Sequence, residues 1–233
     1  MTGKCERFIR CAVTVIVGSF GAALPAQAST IVWTDWSSAS AGSPGTASGT
    51  IASSPSLTVS YSGQNSGLLA NYPSWTPTGT FSGGTVGNTP PQSFNAIALT
   101  GGVTTTNTLT FSSAITDPVL AIWSLGAPGN QASFDFTAAE PFTLEAGGPS
   151  AEYGGSSITV SGNDVLGAEG NGVIQFNGTY SSLTWTNPTF ESYYAFTVGI
   201  AGVASSPIPE PAALGLIGVG LCALAYLRRT RSR

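Results

Sequence analysis

The sequence contains no histidine, and its basic residues are confined to its two ends. All seven Lys and Arg residues lie within residues 1–10 and 228–233, so the interval 29–208 has no cationic side chain. We therefore expect no binding of nucleic acid, because nothing in that interval can neutralise phosphate. Nine carboxylates give the interval a formal charge of −9: Asp35, Asp117, Asp135, Glu140, Glu145, Glu152, Asp164, Glu169 and Glu191.

Cysteine is also missing from this interval, since the three cysteines occupy positions 5, 11 and 222. Without cysteine the interval forms no disulfide and must rely on a hydrophobic core, for which its length is sufficient. Histidine-based triads, zinc sites with His or Cys ligands, and covalent catalysis by Lys or Cys are all excluded. We expect a protein that is not an enzyme and has no catalytic residue, cofactor or metal.

Carboxylates leave one enzymatic alternative open. Glycoside hydrolysis requires only a pair of acids. The acids closest to one another in the sequence are Glu140, Glu145, Glu152, Asp164 and Glu169. No spacing singles out one pair, so a carboxylate-only glycoside hydrolase remains an alternative.

A weak calcium candidate lies in the segment 162–172, which is rich in Gly, Asn and acidic residues. Asp164 and Glu169 supply the oxygen ligands that calcium prefers. The segment does not match the EF-hand spacing, and the same residue types are ordinary in turns.

Short apolar runs with a period of two, separated by Gly-rich turns, predict an all-β domain over residues 29–204. The predicted strands are 31–36, 57–61, 96–99, 107–111, 119–125, 132–137, 142–145, 157–160, 173–176, 182–185 and 194–200. The interval 37–56 is predicted as a loop with at most one short strand near Thr50, and 62–93 as a long loop. We expect a single antiparallel β-sandwich of jelly-roll type, with 119–125 as a central strand.

Aromatic residues suggest a second kind of function, because exposed rings stack on sugars. Trp123 and Trp185 fall in predicted strands and are expected to be buried. Trp75 lies between Pro73 and Pro77, which would hold it outward at a low entropic cost. Tyr72 and Trp75 are the predicted glycan contacts. Trp36, Tyr193 and Tyr194 are further surface candidates.

The N-terminal segment 1–28 has the features of a secretory signal peptide. Its first ten residues are basic, an apolar stretch runs from about residue 11 to 24, and Ala26-Gln27-Ala28 follows. Small residues in those places are typical of the site that signal peptidase reads. Cleavage after Ala28 would leave Ser29 as the first residue of the mature protein.

The C-terminal segment 205–233 combines three features: Pro209-Glu210-Pro211, an uncharged apolar stretch 212–227, and a basic end. As a helix the apolar stretch spans about 24 Å, which predicts a short transmembrane helix aided by snorkelling arginines. The positive-inside rule places the basic end in the cytoplasm. The residues of this cytoplasmic stop are Arg228, Arg229, Arg231 and Arg233.

This tail closely resembles the PEP-CTERM sorting signal of Gram-negative bacteria that produce exopolysaccharide. The matching features are Pro209-Glu210-Pro211, the Gly-rich apolar helix and the Arg-rich end. The resemblance implies recognition and removal of the tail by an exosortase. The same module is also called the ice-binding protein C-terminal domain. Ice binding itself is not expected, because the Thr-rich run 104–108 occurs once, without a repeating ladder.

Taken together, these features predict an exported, non-enzymatic protein of the cell envelope or extracellular matrix. Its expected partners are signal peptidase, the exosortase, and the membrane through the C-terminal helix before processing. The precursor is expected in the inner membrane, and the mature protein in the envelope, on the outer surface or in the matrix of a Gram-negative bacterium. A carbohydrate-binding module for exopolysaccharide is the main alternative function.

Overall fold

A computed structural model describes residues 27–202. The signal segment up to Ala26, the Pro209-Glu210-Pro211 motif, the apolar stretch 212–227 and the terminal arginines lie outside the described residues. No helix within 27–202 has the length and apolar character needed to cross a membrane.

The described chain consists of strands and one short helix, which confirms the all-β prediction. The strands are β1 (Ile31–Ser40), β2 (Gly42–Ile51), β3 (Leu57–Asn65), β4 (Gly67–Leu69), β5 (Ala96–Leu99), β6 (Val103–Thr116), β7 (Val119–Leu125), β8 (Ala132–Phe136), β9 (Phe142–Gly147), β10 (Ser156–Ser157), β11 (Thr159–Ser161), β12 (Asp164–Gly167), β13 (Gly170–Phe176), β14 (Thr179–Asn187) and β15 (Tyr194–Ala201). The helix, α1, is Thr78–Phe81.

These strands form one large sheet that curls almost closed on itself. Its order is β10-β13-β7-β15-β1-β2-β3-β6-β14-β8-β12-β11, with β9 on β13 and with β5 joining β4 to β15. All pairs are antiparallel except β10 with β13. Strand β1 joins the two halves of the sheet, which we call its arms. Residues 31–33 pair with β15 of the first arm, and residues 34–40 pair with β2 of the second. Far from β1, the two arms approach each other again, where Gly167 of β12 lies against Leu125 of β7.

The inner core fills the space enclosed by both arms. In β3, buried and exposed residues alternate from Leu57 to Tyr61, as expected for a strand with one face in a core. Tyr61, Trp185 and Phe196 meet there from three strands, with ring centroids 5.3–5.9 Å apart. Such clusters supply the apolar burial that stabilises a domain without disulfides.

Strand β7 is buried on both faces, which confirms its prediction as a central strand. Leu120 and Ile122 point into the inner core, whereas Ala121 and Trp123 belong to a second, outer core. The outer core also contains Trp75, Phe81 and Val86 from the segment between β4 and β5. The long loop predicted over 62–93 therefore begins as strand, and its remainder covers the outer face of the sheet.

The prediction of a loop over 37–56 is wrong, because β2 runs through it between β1 and β3. The buried positions of β2 include Gly45, Ala47 and Gly49, whose small size hides the alternation in the sequence. A Cβ at Gly49 would lie 2.7 Å from the Asp35 carbonyl oxygen, so the close strand packing requires glycine here.

Candidate functional site

Three tyrosine rings surround the buried indole of Trp123 at the outer face of β7. The ring centroids of Tyr72, Tyr153 and Tyr193 lie 4.9, 5.5 and 5.7 Å from that of Trp123. Tyr72 comes from the segment after β4, Tyr153 from the turn before β10, and Tyr193 from the residue before β15. We call these three side chains the tyrosine face.

The solvent exposure of these aromatic rings increases from Trp123, at the base of the tyrosine face, to Tyr153 at its rim. Trp123 is fully buried, Tyr72 and Tyr193 are half-buried, and Tyr153 is 54% exposed. The rings of Tyr72 and Tyr193 are stacked, with centroids 6.5 Å apart and planes at 30°. The rim therefore presents aromatic surface on a rigid support.

The carboxylate of Glu152 holds Trp123 and the segment that contains Ser74 in place by hydrogen bonds. Its Oε2 accepts a hydrogen bond from Trp123 Nε1 at 3.0 Å, and its Oε1 accepts one from the Ser74 backbone N–H at 2.7 Å. Partial burial raises the pKa of this carboxyl, but the hydrogen bonds from Ser74 and Trp123 outweigh burial and lower it. The ionised Glu152 thus ties the turn that carries Tyr153 to the segment that carries Tyr72.

The hydroxyls of Tyr72 and Tyr193 stay protonated at neutral pH. Burial, together with the neighbouring Tyr153 hydroxyl and the Glu152 carboxylate, raises the pKa of Tyr72 well above its usual range. Burial and then Tyr153 raise the pKa of Tyr193 as well. The face therefore offers neutral hydroxyl groups that both donate and accept hydrogen bonds.

A strained backbone region adjoins the tyrosine face at the end of β7. Ser124 and Glu169 have φ values of 58° and 63°, a left-handed conformation that is uncommon outside glycine. Ser124 Oγ donates to Glu169 Oε1, and Asn171 Oδ1 accepts from the Ser124 backbone N–H at 2.8 Å. These bonds hold an irregularity in the β7–β13 register, at the residue next to Trp123.

Glu191 anchors the backbone of the third tyrosine. It is 7% exposed, and its Oε1 accepts a hydrogen bond from the Tyr193 N–H at 2.9 Å. Burial raises the pKa of Glu191; the Tyr193 N–H partly offsets this rise, and the nearby Glu169 carboxylate adds to it.

The raised pKa of Glu191 predicts a specific pH dependence of stability. A carboxyl whose folded-state pKa exceeds its unfolded value stabilises the fold most at pH below the unfolded value, and this contribution is lost as pH rises through the folded-state pKa. We expect the melting temperature of Glu191→Gln to fall less than that of the parent as pH is raised from 5 to 7. Glu152, whose pKa shift has the opposite sign, is present in both proteins.

Thermal melts across this pH range check the prediction. Asp35→Asn, which removes an exposed carboxylate, is the control for the loss of one negative charge. If Glu191→Gln and Asp35→Asn show the same pH profile, the assignment to Glu191 is wrong.

The structure corrects the prediction that Trp75 is an exposed glycan contact. Trp75 is 1% exposed and packs edge-on against Phe81, with ring centroids 5.2 Å apart. The outer face of the sheet needs an apolar cover, and Trp75 provides part of it. Tyr72, the other predicted contact, is half-buried and belongs to the tyrosine face.

Of the remaining predictions about aromatic residues, some are confirmed and others are wrong. Trp123 and Trp185 are buried, as predicted. The surface assignments of Trp36 and Tyr194 are wrong, since both are fully buried; Trp36 Nε1 donates to Thr197 Oγ1 at 3.1 Å. Tyr193 is half-buried, with its ring in the tyrosine face.

The structure does not bring the weak calcium candidates together. Asp164 begins β12 and pairs with Asp135 of β8, whereas Glu169 lies beyond the other end of β12 beside Ser124. The intervening residues form a strand that the sequence did not predict. Within residues 27–202 there is no group of three or more acidic side chains placed to hold a metal ion.

Two of the acids considered for catalysis have structural roles. Glu140 is buried and its Oε1 accepts hydrogen bonds from the backbone and hydroxyl of Thr184. Glu145 Oε2 accepts the corresponding pair of bonds from Thr85. These contacts join neighbouring strands and loops.

Sequence reasoning missed Tyr153, the most exposed ring of the candidate site. It lies in the segment Glu152-Tyr153-Gly154-Gly155, where both glycines have positive φ. A tyrosine beside two glycines is a signal for an exposed turn, and this signal could have identified it.

Comparison of the whole chain with protein-family models, with curated proteins and with solved structures finds no match.

Proposed function

We propose that this chain is an exported, non-enzymatic protein of the cell envelope or extracellular matrix, which an exosortase sorts through the PEP-CTERM signal. The observation that carries the proposal is the position of the two ends of the described domain. Ile31 pairs with Ala201 in adjacent antiparallel strands, and the Gly202 N–H donates to the Thr30 carbonyl at 2.7 Å. Both ends therefore leave from the same side of the domain, at the same end of two adjacent strands.

This arrangement suits a domain that is made between two membrane-directed segments. Ser29, the expected first mature residue, bonds through its backbone to Thr85 and Gly87, and exposed Ala28 precedes it. On the other side, six residues separate Gly202 from Pro209. Seven residue steps reach at most about 25 Å. The side of the domain from which both ends leave can thus face the membrane, while both cleavage sites remain near the bilayer.

We include the jelly-roll sandwich in this proposal as the finer description of the fold. Support comes from β1, which is shared by the two arms, and from the inner core, to which both arms contribute. Jelly rolls and related sandwiches commonly display surface sites on a rigid scaffold.

Replacing Pro209, Glu210 and Pro211 together with alanine tests the sorting step. In an exosortase-containing host we expect the variant to remain longer than the parent and to stay in the membrane fraction. The exosortase would no longer recognise the variant, whereas the apolar stretch 212–227 would be unchanged. Immunoblots of the membrane, envelope and medium fractions measure this.

Ser205→Ala with Ser206→Ala is the matched control, because it changes neighbouring residues and leaves the motif intact. The control should be processed like the parent. Normal processing and release of the triple variant would refute the proposed role of the motif.

A further inference from the structure

We propose that the tyrosine face is a binding site for a neutral polysaccharide, which stacks the apolar face of a pyranose ring on Tyr153. The inference rests on the proposed function insofar as export places the domain among surface polysaccharides. It assigns ligand contact to Tyr72, Tyr153 and Tyr193 and gives the buried Trp75 no part in it.

The first argument is the chemistry of the surface. Tyr153 is 54% exposed, and its ring centroid lies 5.5 Å from that of the buried indole of Trp123. A sugar ring offers C–H groups on one face and hydroxyls at its edge. Tyrosine matches both, since its ring is apolar and its hydroxyl is polar. The half-buried Tyr72 and Tyr193 extend this surface beside it.

The second argument is preorganisation. The three tyrosines come from separate segments, and two carboxylates hold those segments in place. Glu152 bridges Trp123 and Ser74, and Glu191 binds the Tyr193 N–H. A rigid aromatic surface loses little conformational entropy when a ligand binds.

The third argument is charge. No Lys, Arg or His is present in residues 29–202, whereas the nine carboxylates of the mature interval all lie there. A polyanionic glycan would be repelled and would find no cationic partner. A neutral polymer needs only aromatic surface and neutral hydrogen-bonding groups, and the tyrosine face supplies both.

Affinity electrophoresis of the purified full-length chain in mild detergent tests the proposal. The gels contain neutral glucan, mannan, galactan or xylan, and a parallel gel contains the polyanion alginate. We expect at least one neutral polymer to retard the parent. Alginate can bind the basic residues at the two ends of the full-length chain, so any retardation by alginate should be equal in the parent and in Tyr153→Ala. Tyr153→Ala should weaken binding by about tenfold, in line with the loss of one aromatic contact. Tyr153→Phe keeps the ring and should retain most binding.

Phe190→Ala is the matched control, because Phe190 is 62% exposed but lies against Gly102, apart from the three tyrosines. It should bind like the parent. Thermal melts should show that Tyr153→Ala is folded, since the ring is mostly in solvent.

Three results would overturn the proposal: no retardation by any neutral polymer, equal losses in Phe190→Ala and Tyr153→Ala, or a loss of alginate binding in Tyr153→Ala as large as its loss of binding to the neutral polymer. Sedimentation velocity adds a fourth. A parent dimer that Tyr153→Ala dissociates would show that a second copy of the chain occupies the face. These measurements use purified protein, so their failure leaves the sorting proposal standing, and a failure of sorting leaves these results unaffected.

Discussion

Trp75→Ala is expected to destabilise the protein by about 3–5 kcal/mol, the usual cost of removing a large aromatic side chain from a core. Trp75 is 1% exposed, and it packs on Phe81 in the outer core. Its removal leaves a cavity between the outer face of the sheet and the segment from β4 to β5, which we call the covering segment. The melting temperature should fall by about 6–20 °C for a domain of this size.

Phe190→Ala is the control for this change, since it removes an aromatic side chain that is 62% exposed. We expect its free energy of unfolding to stay within about 0.5 kcal/mol of the parent value. Urea unfolding of both variants gives the comparison. A Trp75→Ala protein as stable as Phe190→Ala would show that the covering segment does not pack as described.

Asn187→Ala is the second change with a large expected effect. Asn187 is 1% exposed, and its Oδ1 accepts hydrogen bonds from Trp185 Nε1 at 2.9 Å and Asn107 Nδ2 at 2.8 Å. Its Nδ2 donates to the Ser133 carbonyl at 2.6 Å. Asn107 Oδ1 in turn accepts from the Tyr61 hydroxyl, so the network joins β3, β6, β8 and β14.

Removing the Asn187 amide leaves three buried polar groups without their partner. Unpaired buried groups cost about 1–3 kcal/mol each, so we expect a loss of at least about 3 kcal/mol. Asn187→Asp has the same shape but places an acceptor against the Ser133 carbonyl, and it should also be destabilised. Thr186→Ala, at the preceding position on β14, is the control and should have a small effect on the free energy of unfolding. Urea unfolding with near-parent stability for Asn187→Asp would contradict the network.

The sequence reveals those parts of the fold in which apolar character is continuous or alternates clearly. Strand β7 could be predicted to the residue, because seven successive buried positions leave an apolar run with few other interpretations. Strand β2 could not, because all but one of its buried positions are glycine or alanine. Small residues satisfy close strand packing without giving the alternation of large apolar and polar residues that marks a strand.

Long-range packing explains the error at Trp75. Its flanking prolines describe only the local backbone, whereas its burial depends on β7, more than forty residues later in the sequence. The same limitation applies to the tyrosine face. Tyr72, Tyr153 and Tyr193 have no informative spacing, and only the folded sheet brings their rings to Trp123.

The central claim is that the chain is exported and loses both ends to leave the acidic β-domain. The intact mass of the protein recovered from the envelope or matrix of its host tests this claim most directly. We expect a mass that corresponds to a chain beginning at Ser29 and ending near Pro209-Glu210-Pro211, without residues 212–233. A mature protein that still contains either the N-terminal segment 1–28 or the stretch 212–227 would contradict it.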